Sequence, residues 1–209
     1  MTPAELLNIM SNSIVTTGSL KNAQVRGQPE LVAFKLVTNF KGQKPGSAAV
    51  PVYALVNTDN KSAGFDAYIC DYEQGSTKYV VLGNNADFMF TITMNGCTFG
   101  IGMPAPSGEV IVCHSNTSKG FGGKTPPDVQ AQLQRVQVEQ VLPEGGLILE
   151  PANYRTIGKE QSTTFGIRRN GAWEFWMHTY LYSGNQTYTA GATTRINGAQ
   201  FALDPAWSI

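Results

Sequence analysis

Along most of its length the chain is patterned for strands. From LVAFKLVTNF (31–40) onward, runs rich in β-branched and aromatic residues alternate with clusters of Gly, Pro, Asn and Ser, the signature of short strands separated by turns. AVPVYALV, AYICDYE, KYVVLG, DFMFTITM, CTFGIG, GEVIVCHS, TTFGIRR and AWEFWMHTYLY are the runs that read as strands. Within DFMFTITM, a period of two puts Phe88, Phe90, Ile92 and Met94 on one face and Met89, Thr91 and Thr93 on the other. The first face is expected to be core, and the second carries hydroxyls. In GEVIVCHS, Val110, Val112 and His114 share a face, while Ile111 and Cys113 take the opposite one.

Two segments carry helical spacing instead. At the N-terminus Thr2 can cap, Pro3 suits the first helical position, Glu5 completes a capping box, and Leu6, Ile9 and Met10 line one face. The second is TPPDVQAQLQRVQVEQVL, Thr125 to Leu142. It opens on Thr and Pro, places Asp128 in its first turn and spaces Val129, Leu133 and Val136 at helical intervals. Its Gln-rich outer face reads as a solvated surface. The preceding NTSKGFGGKT reads as a Gly-rich loop; its GFGGKT lacks the first glycine of a phosphate-binding loop. With no internal repeat or long linker, the expectation is one α+β domain over residues 1–209: a β-sandwich-like core of mostly antiparallel strands with peripheral helices.

Charge narrows the partners. Lys plus Arg and Asp plus Glu are 15 each in 209 residues, so no global positive field draws nucleic acid. No apolar run approaches the ~18 residues that span a bilayer, and MTPAELLNIM lacks the basic and apolar regions of a signal peptide. The expectation is therefore no nucleic acid, no membrane and no classical export signal. The three cysteines, Cys70, Cys97 and Cys113, have no CxxC neighbour, which argues against a disulfide framework or a zinc knuckle. No metal or cofactor is expected.

Cys97 directly follows Asn95-Gly96, and two readings compete for it. Asn-Gly between alternating runs signals a two-residue hairpin turn, and a free cysteine is often a small buried hydrophobe. Alternatively, a glycine before a nucleophile lets the backbone turn sharply, presents the thiol and leaves a backbone N–H to meet an oxyanion. His114 ends an apolar strand seventeen residues on, placed to act as base to the thiol. A buried structural histidine is an equal reading of it from spacing alone. His178, in an aromatic strand, reads as structural and is the rival partner for Cys97. Cys70 and Cys113 read as packing.

DFMFTITMNGC followed by GEVIVCHS resembles the catalytic core of the Burkholderia lethal factor type of glutamine deamidase toxin and, more distantly, of the cytotoxic necrotizing factors. That family carries Leu-Ser-Gly-Cys on one strand and a histidine on a following one. Here the motif reads Met94-Asn95-Gly96-Cys97, so Gly96 and Cys97 match while Met94 and Asn95 depart. Thr91 falls where the lethal factor has a functionally important threonine, and His114 falls at the family histidine, with MPAPSG lengthening the loop before it. The specific part covers roughly residues 87 to 116, and a weaker similarity runs through WMHTYLYSGNQTYTAGATT.

The resemblance implies a toxin or effector that deamidates a specific glutamine of a host regulatory protein to glutamate through a thioester on Cys97. His114 would be base and acid, and backbone N–H groups at Gly96 and Cys97 would meet the oxyanion. Thr91 would orient His114 or a water, or else simply fill the polar face of its strand. A backbone carbonyl can serve as the third orienting group in this family; Asn116 is another candidate. An amine in place of water would give transglutamination. The implied setting is production in a bacterial cytoplasm, delivery to a host cytosol and action as a monomer on a protein substrate bearing a reactive glutamine. Specificity is expected in the loops NTDNKSAG, GMPAPSG and NTSKGFGGK. Two other classes stay open: a non-enzymatic lectin-like β-sandwich binding module, for which YLYSGNQTYTAGATT has the composition, and a cysteine peptidase.

Overall fold

The alternating runs form strands, and the strands form two sheets. The computed structural model describes residues 1–20, 27–46, 48–117, 126–142, 145–155 and 159–196. Helix α1 (Pro3–Asn12) leads into β1 (Ile14–Thr16), β2 (Glu30–Leu36), β3 (Lys41–Gln43), β4 (Ala49–Val50) and β5 (Val52–Asn57). Next come β6 (Phe65–Cys70), β7 (Thr77–Leu82), β8 (Phe88–Thr91), β9 (Thr98–Ile101) and β10 (Val110–Ser115). Helix α2 (Pro127–Val141) precedes β11 (Leu147–Leu149), a 3-10 turn (Pro151–Asn153), and the long meander β12 (Glu160–Arg169), β13 (Ala172–Tyr182) and β14 (Thr187–Ile196). The architecture is α+β, strand-rich, with mostly antiparallel pairing; β1–β5, β6–β8 and β14–β3 are parallel.

The larger sheet runs β1-β5-β2-β6-β8-β12-β13-β14-β3-β4 and the smaller one β11-β9-β10-β7. Only Pro51 separates β4, at one edge of the larger sheet, from β5 near the other. That short link, with the Ile14 N–H donating to the Pro51 carbonyl at 2.9 Å, draws the sheet round into a near-barrel. Inside it, α1 buries Leu6 and Met10 against Val32, Phe90 and Phe165. The helix starts as its sequence dictates: the Thr2 hydroxyl accepts from the Glu5 N–H and the Glu5 carboxylate accepts from the Thr2 N–H. An aromatic row crosses four strands through Phe34, Phe90, Phe165 and Trp176, with centroids 6.3 to 6.4 Å apart, which ties their registers together.

A second core lies between the sheets, built from Tyr68, Cys70, Met89, Met94, Cys97, Phe99, Val112 and Met177. Strand β8 is therefore buried on both sides. Of the hydroxyl-bearing face expected for DFMFTITM, Met89 lies in the second core and Thr91 bonds Thr164 of β12, because a layer covers each side of the strand, while the Thr93 hydroxyl meets those of Thr17 and Tyr180. Met94 departs from the Phe88 face: regular pairing ends at Thr91, and Met94 bridges Ser162 and joins the inter-sheet core.

Asn95-Gly96 is not a hairpin turn. Strand β8 pairs with β6 and β12, whereas β9 pairs with β10 and β11, so the segment carries the chain from one sheet to the other. Gly96 has φ +89° while Asn95 stays at negative φ, and the favoured Asn-Gly hairpin turn needs both residues positive.

Helix α2 lies on the outer face of the smaller sheet, against β7, β9 and β10. Its buried side chains are Gln134 and Val138, while Val136 is half exposed. The face expected to be solvated thus supplies the buried glutamine, because the sheet beneath offers hydroxyls and a carbonyl for it to bond. The Gly-rich loop at 118–125, with its expected Thr125 cap, lies outside the described residues.

Candidate active site

The crossing segment is clamped from two directions. The Tyr154 hydroxyl, at the end of the 3-10 turn, accepts from the Gly96 N–H at 2.8 Å and donates to the Cys97 carbonyl at 2.9 Å. From α2, Gln134 Nε2 donates to the Gly96 carbonyl at 3.1 Å, and its Oε1 accepts from the Thr98 hydroxyl at 2.9 Å. Arg155, next to Tyr154, holds its Nη1 3.0 Å from where a Cβ on Gly96 would lie. The 3-10 turn is braced in turn. The Glu150 N–H donates to Asn153 Oδ1 at 2.6 Å, and Arg135 of α2 reaches the Glu150 carboxylate at 3.5 Å.

Cys97 points into the inter-sheet core with 4% of its surface exposed. Burial pushes its thiol up to about 11, against the pull of the Asn95 backbone N–H and the Arg155 charge. His114 stands opposite Phe99 in the β9–β10 ladder. Cys97 lies just before β9, and its side chain joins Phe99 in the inter-sheet core, on the side of the sheet that His114 faces.

The His114 ring is fully buried, and neither nitrogen has a hydrogen-bond partner among the described residues. Buried polar atoms are normally satisfied, so this ring is set apart from ordinary core histidines. Burial drops it to about 4, offset in part by the Cys70 backbone, which lies near the ring without hydrogen-bond geometry. Tyr72, 40% exposed, packs over it with ring centroids 5.6 Å apart. In this closed arrangement thiol and imidazole are both neutral.

The remaining candidates separate clearly. The Thr91 hydroxyl exchanges two bonds with the backbone of Thr164, accepting from its N–H at 2.9 Å and donating to its carbonyl at 3.3 Å. It stands beside Cys70 in the β6–β8 ladder, so it sits near His114's backbone neighbour while its hydroxyl bonds to β12. The Gly96 N–H, expected at the oxyanion, is occupied by Tyr154. Asn116 lies just past β10, its backbone paired to the loop at Gly75 and Ser76. Cys113 faces α2 beside Gly100, on the opposite side of the sheet from His114.

His178 belongs elsewhere. Its Nε2 accepts from the Val15 N–H at 3.3 Å, and its Nδ1 lies 2.9 Å from the Thr193 hydroxyl, which donates to the Met10 carbonyl. The ring ties α1 and β1 to the barrel wall, and burial drops it to about 4.

Tyr154, Gln134 and Arg155 escaped the sequence reading. Gln134 lies four residues before Val138, a helical spacing that could have flagged a buried amide; Tyr154 and Arg155 carry no local signal. All three cysteines are free thiols. Among the described residues, no group of three or more His, Cys, Asp or Glu side chains is placed to hold a metal ion. No model of a known protein family matches the chain, and no curated protein matches it.

Proposed function

We propose that Cys97 and His114 form the centre of a cysteine-dependent glutamine deamidase acting on a protein substrate. One observation carries the reading. A thiol on a positive-φ glycine turn shares an inter-sheet face with a buried histidine whose two ring nitrogens are both unpartnered. The resemblance of Met94-Asn95-Gly96-Cys97 and His114 to the lethal-factor type of toxin supports the same chemistry.

The reaction proceeds from the neutral pair. His114 takes the proton from Sγ, and the thiolate attacks the carboxamide carbon as the C=O π pair moves onto oxygen. The tetrahedral intermediate collapses, the C–N bond breaks, and His114 returns its proton to the leaving ammonia. Water, deprotonated by the same ring, then attacks the thioester; the C–S bond breaks, the thiolate is released and takes up a proton, and a glutamate remains. Cys97 and His114 are enclosed, so entry of a glutamine side chain displaces the rim, where exposed Tyr72 covers His114. Loss of that cover rehydrates the imidazole and raises its pKa toward the range of a working base.

The test is peptide mass spectrometry of animal-cell lysate proteins after incubation with the protein and with Cys97→Ser. Conversion of one glutamine to glutamate, a gain of about one dalton with wild type alone, is the expected result. Equal cellular effects of both proteins with no mass change would replace this reading with a binding module. Backbone cleavage would replace it with a peptidase.

A further inference from the structure

A thiolate and then an oxyanion must form at Cys97, and a buried negative charge there needs a partner. A glycine N–H would ordinarily be the first candidate, but the Gly96 amide is held by the Tyr154 hydroxyl at 2.8 Å. The same phenol fixes where the next side chain goes. Because Tyr154 bonds both Gly96 and Cys97, Arg155 emerges directly beside the turn, its Nη1 3.0 Å from the position of a Gly96 Cβ. Gly96 has no side chain, so the guanidinium can lie against the residue next to Cys97.

Resting on the deamidase reading for its chemistry, we propose that Arg155 is the electrostatic partner of Cys97, holding the thiolate and then the oxyanion in place of the Gly96 amide that Tyr154 occupies. A guanidinium suits the task because it keeps its charge at any working pH and presents several donors in a plane. It also accounts for the coupling of the two clamps: Tyr154 shapes the turn and delivers the cation in consecutive residues. Among the described residues, Arg155 is the charged side chain whose field acts to lower the Cys97 pKa, and it acts on the Tyr154 phenol in the same direction.

The experiment is alkylation of the folded protein by iodoacetamide between pH 6 and 10, where the rate follows the thiolate fraction and so reports shifts of the Cys97 midpoint, with Cys97 followed by peptide mapping, for wild type, Arg155→Met, Arg155→Gln and Arg155→Lys. Circular dichroism identifies the variants that fold. Removing the charge is expected to move the Cys97 midpoint upward, slowing alkylation at least about tenfold below it, while Arg155→Lys keeps most of the wild-type rate. An unchanged midpoint in folded Arg155→Met or Arg155→Gln overturns the proposal. So does a Cys97 that stays unreactive in folded wild type yet reacts once unfolded.

The two readings fail separately. A charge-dependent midpoint without glutamine conversion would retain Arg155 as the partner of Cys97 and remove the deamidase. Glutamine conversion at wild-type rate by Arg155→Met, with an unshifted midpoint, would do the reverse.

Discussion

The Tyr154 hydroxyl stands between the Gly96 amide and the Cys97 carbonyl, accepting from one at 2.8 Å and donating to the other at 2.9 Å. A side chain 57 residues away along the chain thereby fixes the two peptide groups that aim the thiol. Burial pushes the phenol above its ordinary pKa, so it keeps the proton it donates. Tyr154→Phe retains the ring and removes both bonds, leaving an amide and a carbonyl without their partner. Each such loss costs about 1–3 kcal/mol. Urea unfolding should show a drop on the order of 2–6 kcal/mol, and, on the proposed deamidase reading, glutamine conversion should fall more than tenfold in the variant that remains folded. Activity equal to wild type would mean that the turn holds its shape without the phenol.

Gln134 makes the complementary prediction from the other side. It is fully buried and bonds the backbone before Cys97 and the hydroxyl after it. Gln134→Leu keeps the volume and drops both bonds, so a loss on the order of 2–6 kcal/mol is expected. Gln132→Leu, on the exposed side of the same helix, should change stability by less than about 0.5 kcal/mol. Gln134→Glu sets an acceptor against the Gly96 carbonyl and a negative charge near Cys97. Its alkylation midpoint should rise relative to wild type, a readout that a purely structural role would leave unmoved.

What the sequence made legible follows from distance along the chain. Alternation marked the strands, and parity put Val110, Val112 and His114 together, because both are properties of a few neighbouring residues. Which sheet a strand joins is not. Asn95-Gly96 reads as a hairpin only while the runs on either side are taken to pair, and the choice of β12 over β9 as partner of β8 is made by residues 75 to 79 positions on. The site divides in the same way. Cys97 and His114 carry reactive side chains and could be nominated by type, whereas Tyr154 and Gln134 act through the backbone of residues 38 to 58 positions away, and Arg155 comes beside the turn only through the fold. Thr91 shows the cost of nomination by type: its hydroxyl was free to serve His114 until the Thr164 backbone, 73 residues on, is placed beside it.

The two histidines set the pH dependence of stability. Burial holds both near about 4 in the folded state, below the ordinary 6.5. A histidine depressed on folding takes up protons in the unfolded chain first. Its contribution is complete above about pH 6.5, declines as pH falls and is exhausted below about pH 4. Between pH 7.5 and 5.5 the pair should cost about 3 kcal/mol in urea unfolding, and His178→Gln should roughly halve that slope. With only two histidines in the sequence, imidazole NMR signals can follow each ring. Tyr72→Ala should return the His114 titration toward 6.5 and leave His178 unmoved; a His114 signal that still does not titrate above pH 5 would show that Tyr72 is not its cover.

Gly96 brings backbone and charge together in one residue. At φ +89° any side chain is strained, at a cost of roughly 1–2 kcal/mol. Gly171 has φ +80° with open space around it, so Gly171→Ala measures that strain alone. Gly96→Ala adds a methyl 3.0 Å from Arg155 Nη1. The guanidinium ends a flexible chain and can yield, so the two substitutions should destabilise by amounts within about 1 kcal/mol of each other. They should part on chemistry: a displaced cation raises the Cys97 alkylation midpoint in Gly96→Ala only. If both variants kept the wild-type midpoint, the close approach of Arg155 to the turn would have no bearing on the thiol.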